Sequence, residues 1–268
     1  MSRRNRRKKD SNSLPLAIIG LVVAILVLFI YQYVLVVQNT IQTDPATNCR
    51  ADGYFPRDTV ILLDATESIS QAQLEGLSNQ VASIIQASII YERFTIYFLS
   101  DDIATFQPTL MTCNPGTGAN LSSATNNLRK LMENWQESFN VPITGSIDGL
   151  VGVTSSTSSP IMEMLKFVGL RTFSRSTSPE KRLILVSDMV ENTASYSQYR
   201  DRKLDFESLS QTPYFREMRP QLTDVFINLV YIERPELSSI QGGEHIAKFW
   251  QPFVRRSGGQ INNVTYLN

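Results

Sequence analysis

Asp64-Ala65-Thr66-Glu67-Ser68 sets a carboxylate and two hydroxyls at alternate positions of one short segment. A hydroxyl-rich segment, Thr157-Ser158-Ser159-Pro160-Ile161, and a second aspartate, Asp188 in LILVSDM, lie further along the chain. Carboxylate and hydroxyl oxygens, completed by water, are the hard ligands that Mg²⁺ or Mn²⁺ prefers, at about 2.1 Å for Mg²⁺. Brought together, Asp64, Thr66, Ser68, the hydroxyls of the 157–159 segment and Asp188 could build an octahedral metal site. The first segment also has a purely local use, because such residues form Asx turns and cap helices. A helix is expected to begin near Ser70. Glu67 is expected to face solvent, and Asp101-Asp102 adds an acidic pair suited to a turn.

Other chemistries are poorly served. The single histidine, His245, lies on an amphipathic stretch near the C-terminus and suits a structural or surface role. A histidine-rich zinc centre or a Ser-His-Asp hydrolase therefore lacks its parts. No P-loop, G-x-G-x-x-G or CxxC motif is present. Phosphate chemistry of the Asp-x-Asp type would need a carboxylate where Thr66 stands. No catalytic residue is expected.

The candidate residues need elements to position them. Thr59–Leu63 (TVILL) and Leu183–Val186 (LILV) read as short strands buried on both faces, and they lead into Asp64 and Asp188. Phe94–Leu99 and Val225–Ile232 read as further strands, with edge strands over Thr105–Thr112 and Ile261–Leu267. Helical spacing recurs over 70–88 through Leu74, Leu77, Val81, Ile84 and Ile85, and over Leu121–Phe139. A Gly/Ser/Thr-rich loop spans Thr144–Ser159. Another helix opens at Ile161 behind Pro160, and one more spans 243–256. Residues 191–222 read as a surface insertion with one short helix. The alternation predicts an α/β fold, a doubly wound, mostly parallel sheet flanked by helices, with ligands at the carboxyl ends of the strands.

In these residues the sequence resembles the von Willebrand factor type A domain over roughly 57–267. The metal-ion-dependent adhesion site of that family uses Asp-x-Ser-x-Ser after the first strand, a Thr before a middle helix and an Asp after the fourth strand. Asp64, Thr66 and Ser68 stand in the first loop, Ser159 in the place of the Thr, and Asp188 in that of the last Asp. Three departures are visible: Thr66 for Ser, Ser159 for Thr, and Met189 for the Gly that often follows the last Asp. The first two keep a hydroxyl, whereas the third bears on loop geometry. The resemblance implies direct binding of Mg²⁺ by hydroxyls, with the aspartates partly acting through water. It also implies an open coordination position for an acidic side chain of a protein partner.

The N-terminus places this module. Leu16 to Val37 is uncharged and, at about 1.5 Å per helical residue, long enough to cross a hydrocarbon core of about 30 Å. It exceeds the usual signal-peptide core, and no small-x-small cleavage site follows. Six of the 25 Lys and Arg lie between Arg3 and Lys9, and none follows the apolar run until Arg50. The positive-inside rule then puts residues 1–15 in the cytoplasm, 16–37 across the membrane, 38–56 outside as a tether, and the 57–268 domain beyond. That far side is the periplasm in a bacterium. The rest of the chain carries an excess of acid, unlike a nucleic-acid-binding surface. Cys49 and Cys113 would lie in an oxidising compartment and could pair. Asn120-Leu-Ser and Asn263-Val-Thr match the glycosylation sequon. Two other functions stay open: a structural subunit of an envelope complex with an idle metal site, and a metal-dependent hydrolase.

Overall fold

The computed structural model describes residues 13–38, 41–99, 106–123, 125–150, 156–201 and 204–268; Asp101 and Asp102 lie outside them. Helix α1, Ser13–Gln38, has 26 residues and no charged side chain. Its described side chains, Ile18 to Val34, are all exposed. Among the described residues no helix is long and apolar enough to cross a membrane. Helix α1 belongs to a unit ending at Gln42, and a second compact unit runs from Thr43 to Asn268.

The second unit is built on a six-stranded sheet. Its strands are β1 (Asp58–Asp64), β2 (Arg93–Leu99), β3 (Leu110–Cys113), β4 (Lys181–Ser187), β5 (Val225–Ile232) and β6 (Gln260–Leu267). Their spatial order is β3-β2-β1-β4-β5-β6. Only β3 is antiparallel to its neighbour. The chain leaves β1 toward β2 on one side and returns to β4 on the other. The β1/β4 boundary is therefore the topological switch point, where such sheets open a crevice.

Alternation along each strand divides the core into two layers. Val60, Leu62, Leu183, Leu185, Ile227 and Leu229 face one side, where α5 (Ile161–Arg171) contributes Met164, Leu165 and Val168. Ile61, Leu63, Ile184, Val186 and Val230 face the other, against Leu77, Val81 and Ile85 of α2 (Gln71–Gln86). Burial on both faces explains the uninterrupted apolar runs. Truncating a residue such as Leu62 to Ala would cost about 2–5 kcal/mol. Ser70 starts α2 with a capping box: its hydroxyl accepts from Gln73 N at 3.2 Å, and Gln73 Oε1 accepts from Ser70 N at 3.0 Å.

Several boundaries differ from those expected. The helix expected over Leu121–Phe139 begins at Leu128, where Asn127 Oδ1 accepts from Lys130 N at 3.1 Å. It runs through α3 (Leu128–Trp135) and a π turn at Gln136–Asn140 into α4 (Val141–Asp148). Pro142 has no N–H to give, and the Ser138 carbonyl instead accepts from Thr112 Oγ1 at 3.1 Å. Helical structure thus reaches into the segment expected as a loop. The third strand is shorter than expected and starts beyond Pro108.

Residues 191–222 are not a surface insertion. Their helices α6 (Phe206–Ser210) and α7 (Pro213–Met218) carry Phe206, Leu209 and Phe215 into the core. Near the C-terminus, α8 (Ser238–Gln241) precedes a π turn at His245–Trp250 and then α9 (Gln251–Arg256). Gly169 in α5 has a steric reason, since a Cβ there would meet Gln221 O at 2.7 Å.

The segment before β1 is fixed to this unit from Thr43 onward. Cys49 is disulfide-bonded to Cys113, with Cα atoms 4.8 Å apart. Cys113 N donates to Thr47 O at 2.7 Å. Closing a loop with a sequence separation of 64 is worth about 4 kcal/mol on the chain-entropy account.

Candidate metal centre

Asp64 ends β1 in register with Leu99 of β2, and Ser187 ends β4 beside it. Asp64 Oδ1 accepts from Thr66 N at 3.0 Å and from Thr66 Oγ1 at 2.6 Å. Its other oxygen accepts from Ser187 Oγ at 2.7 Å. This is an Asx turn closed by a hydroxyl, held at both carboxylate oxygens. The Thr66 proton is committed to Asp64, so the Thr66 oxygen keeps lone pairs for a ligand.

The other two loops are tied to the first. Ser156 N donates to Thr66 O at 2.7 Å, which brings the Ser156–Ser159 segment against the Asp64 loop. Ser159 and Asn192 exchange backbone hydrogen bonds of 2.8 and 3.0 Å, joining that segment to the chain after β4. Asp64, Thr66, Ser159 and Asp188 are all buried. Ser68 is exposed, and its carbonyl accepts from Arg234 Nη1 at 3.0 Å.

Two features test whether these residues suit a hard cation. Ser159 Oγ is buried with no hydrogen-bond partner among the described residues, an arrangement that costs free energy unless something completes it. The donor set is also of the right kind, with hydroxyl and carboxylate oxygens from three loops. Asp188 feels the same enclosure. Burial first, and then the charge of Asp64, push its carboxyl up to about 7. The Arg234 guanidinium beside it offsets only part of that push, and a bound divalent cation would favour the charged form further. On both counts the residues fit a divalent ion.

Met189 bears on the third departure from the family pattern. Its φ is +60°, so a methionine adopts the left-handed conformation that glycine takes without strain. Trp250 Nε1 donates to its carbonyl at 2.7 Å and its side chain is buried in the core. Within the loop, Val190 N donates to Asp188 Oδ1 at 2.9 Å.

Three participants escape a reading by motif. Ser187 holds Asp64. Glu67, expected in solvent, is partly buried and ion-paired to Arg234 Nε at 2.9 Å. Arg234, two residues beyond β5, also reaches Asp188 Oδ2 at 2.9 Å. A charged residue at the carboxyl end of a strand two positions from the switch point was the available signal.

Below the site, His245 is structural as expected. Tyr231 OH lies 2.8 Å from its Nδ1 and Gln198 Oε1 lies 3.1 Å from its Nε2. Burial pushes His245 down to about 4, so it is neutral at pH 7. A cavity of about 490 Å³, lined by Tyr231, Arg234, Gln241, His245 and Tyr266 among others, opens beside Arg234.

No protein-family model matches the sequence, and no curated protein matches it. Solved structures with a similar arrangement include BatB from Bacteroides thetaiotaomicron, at 12% identity and a TM-score of 0.37, over 67% of this chain and 68% of that one. The ArnB paralog VWA2 from Sulfolobus acidocaldarius matches at 14% and 0.39, over 81% of this chain but 42% of that one. An aerotolerance-related membrane protein from Bacteroides fragilis matches at 9% and 0.36, over 79% and 91%. Likenesses at this level leave the reading of the site to its own geometry.

Proposed function

We propose that this chain is a membrane-anchored von Willebrand factor type A-like module that binds a protein partner through a Mg²⁺- or Mn²⁺-dependent site. Helix α1 would hold it in the bilayer, with the basic N-terminus cytoplasmic and the domain outside. The observation that carries the metal reading is the buried hydroxyl of Ser159, without a partner among the described residues, on a segment bonded to the Asp64 loop. Thr66, Ser68 and Ser159 would offer hydroxyl oxygens, and Asp64 and Asp188 would offer charge. The bound ion would supply an electrophilic position able to accept a carboxylate from the partner.

A second reading has its own support. The guanidinium of Arg234 already neutralises Asp188, which suits a structural envelope subunit whose site needs no metal. Calorimetric titration of Mg²⁺ into the detergent-solubilised full chain separates the two. Binding that disappears in Asp64→Ala and Asp188→Asn supports the metal reading. An inert wild type, together with equal partner recovery with and without EDTA, supports the structural one. The anchor is tested by fractionation: release of the full chain from membranes by alkaline carbonate would sink it.

A further inference from the structure

Arg234 is held from several sides for a residue beyond the end of a strand. Its backbone N donates to Gln241 Oε1 at 2.7 Å. The Gln241 amide donates to Asp188 O and Ile232 O, both at 2.9 Å, clamping the ends of β4 and β5 together. The guanidinium then meets three oxygens: Nε donates to Asp188 Oδ2 at 2.9 Å and lies in ionic contact with Glu67 Oε2 at 2.9 Å, and Nη1 donates to Ser68 O at 3.0 Å. The side chain is only 12% exposed. Two of those oxygens belong to residues assigned to the metal, and the third is from Glu67, which lies between Thr66 and Ser68.

We propose that Arg234 is a built-in competitor for the divalent cation, a tethered positive charge that holds Asp188 and the Ser68 loop until an ion displaces it. The inference rests on the metal reading above and adds a regulatory residue to it. A guanidinium is always charged and its fork of donors suits several oxygens at once. It therefore stabilises the metal-free site, and that stabilisation is subtracted from the binding of any ion that needs Asp188. Glu67 provides a second seat, since Nε lies at the same distance from it as from Asp188. Arg234 can leave Asp188 without losing an ionic partner.

Titration of Mn²⁺ into the full chain in detergent, followed by calorimetry and by the loss of the free-ion electron paramagnetic resonance signal, tests this directly. Arg234→Gln is expected to bind Mn²⁺ about tenfold more tightly than wild type, the value of one lost charge-assisted hydrogen bond. Arg234→Lys is expected to gain less, because one ammonium cannot bridge the same acceptors. Equal or weaker affinity in a folded Arg234→Gln overturns the proposal while leaving the metal site intact. Should that variant not fold, Arg234→Lys decides, and an affinity equal to wild type overturns it. Absence of binding in every form removes the metal reading itself, and the competitor with it.

Discussion

The hydroxyl of Thr66 donates to Oδ1 of Asp64 at 2.6 Å. One residue therefore both orients the carboxylate and presents an oxygen of its own. Thr66→Val keeps the shape and removes both functions. Mg²⁺ affinity is expected to fall at least about tenfold, with about 1–2 kcal/mol lost in stability from the broken bond. Thr66→Ser should bind as wild type does. Calorimetry on the three proteins checks this, and undiminished binding by Thr66→Val would remove the hydroxyl from the ligand set.

Asp188 gives the site a pH dependence. Its carboxyl is pushed up to about 7 by burial and by Asp64, while the unfolded chain titrates it near 3.9. Between these values the metal-free folded state holds more protons than the unfolded one. This group's contribution to stability is thus full below about pH 4 and is lost as pH rises through 7. Metal binding runs the other way, since the ion needs the charged form. Mg²⁺ affinity should rise about tenfold from pH 6 to pH 8, with close to one proton released per ion at pH 6. A flat affinity across that range would contradict this assignment.

How much of the fold and site is legible in the sequence follows from where each residue gets its role. TVILL, LILV and VFINLVYI announce themselves because a strand buried on both faces needs unbroken apolar residues. Asp64 and Asp188 stand out because they end two of those runs. Cys49 and Cys113 pair as expected. Arg234 shows only its place just past the carboxyl end of a strand, and its partnership with Glu67 exists only once β5 lies beside β4. Phe206 and Phe215 looked like surface for a related reason. Their helices are too short to show a periodicity, and their burial is decided by contacts with Phe249 and Phe253.

The Cys49–Cys113 bond joins the segment next to the N-terminal unit to an edge strand. Replacing both cysteines by alanine is expected to lower stability by about 4 kcal/mol. For a domain of this size that corresponds to a fall in Tm of roughly 8–16 °C. Scanning calorimetry of oxidised, reduced and Cys→Ala protein provides the comparison. A Tm that does not move would mean the turn at Asp44–Cys49 is held by its hydrogen bonds alone.

Met189 sets strain against packing. Its φ of +60° costs an L-residue about 1–2 kcal/mol relative to glycine. Its side chain, 1% exposed within the core, is worth about 2–5 kcal/mol when truncated. Packing outweighs strain, so Met189→Gly should destabilise by about 1–3 kcal/mol, measured by urea unfolding. Because the backbone conformation is kept, the Val190 N to Asp188 Oδ1 bond and the affinity for Mg²⁺ should persist. A stabilised Met189→Gly would show that the strain outweighs the packing, and that the side chain contributes little to the core.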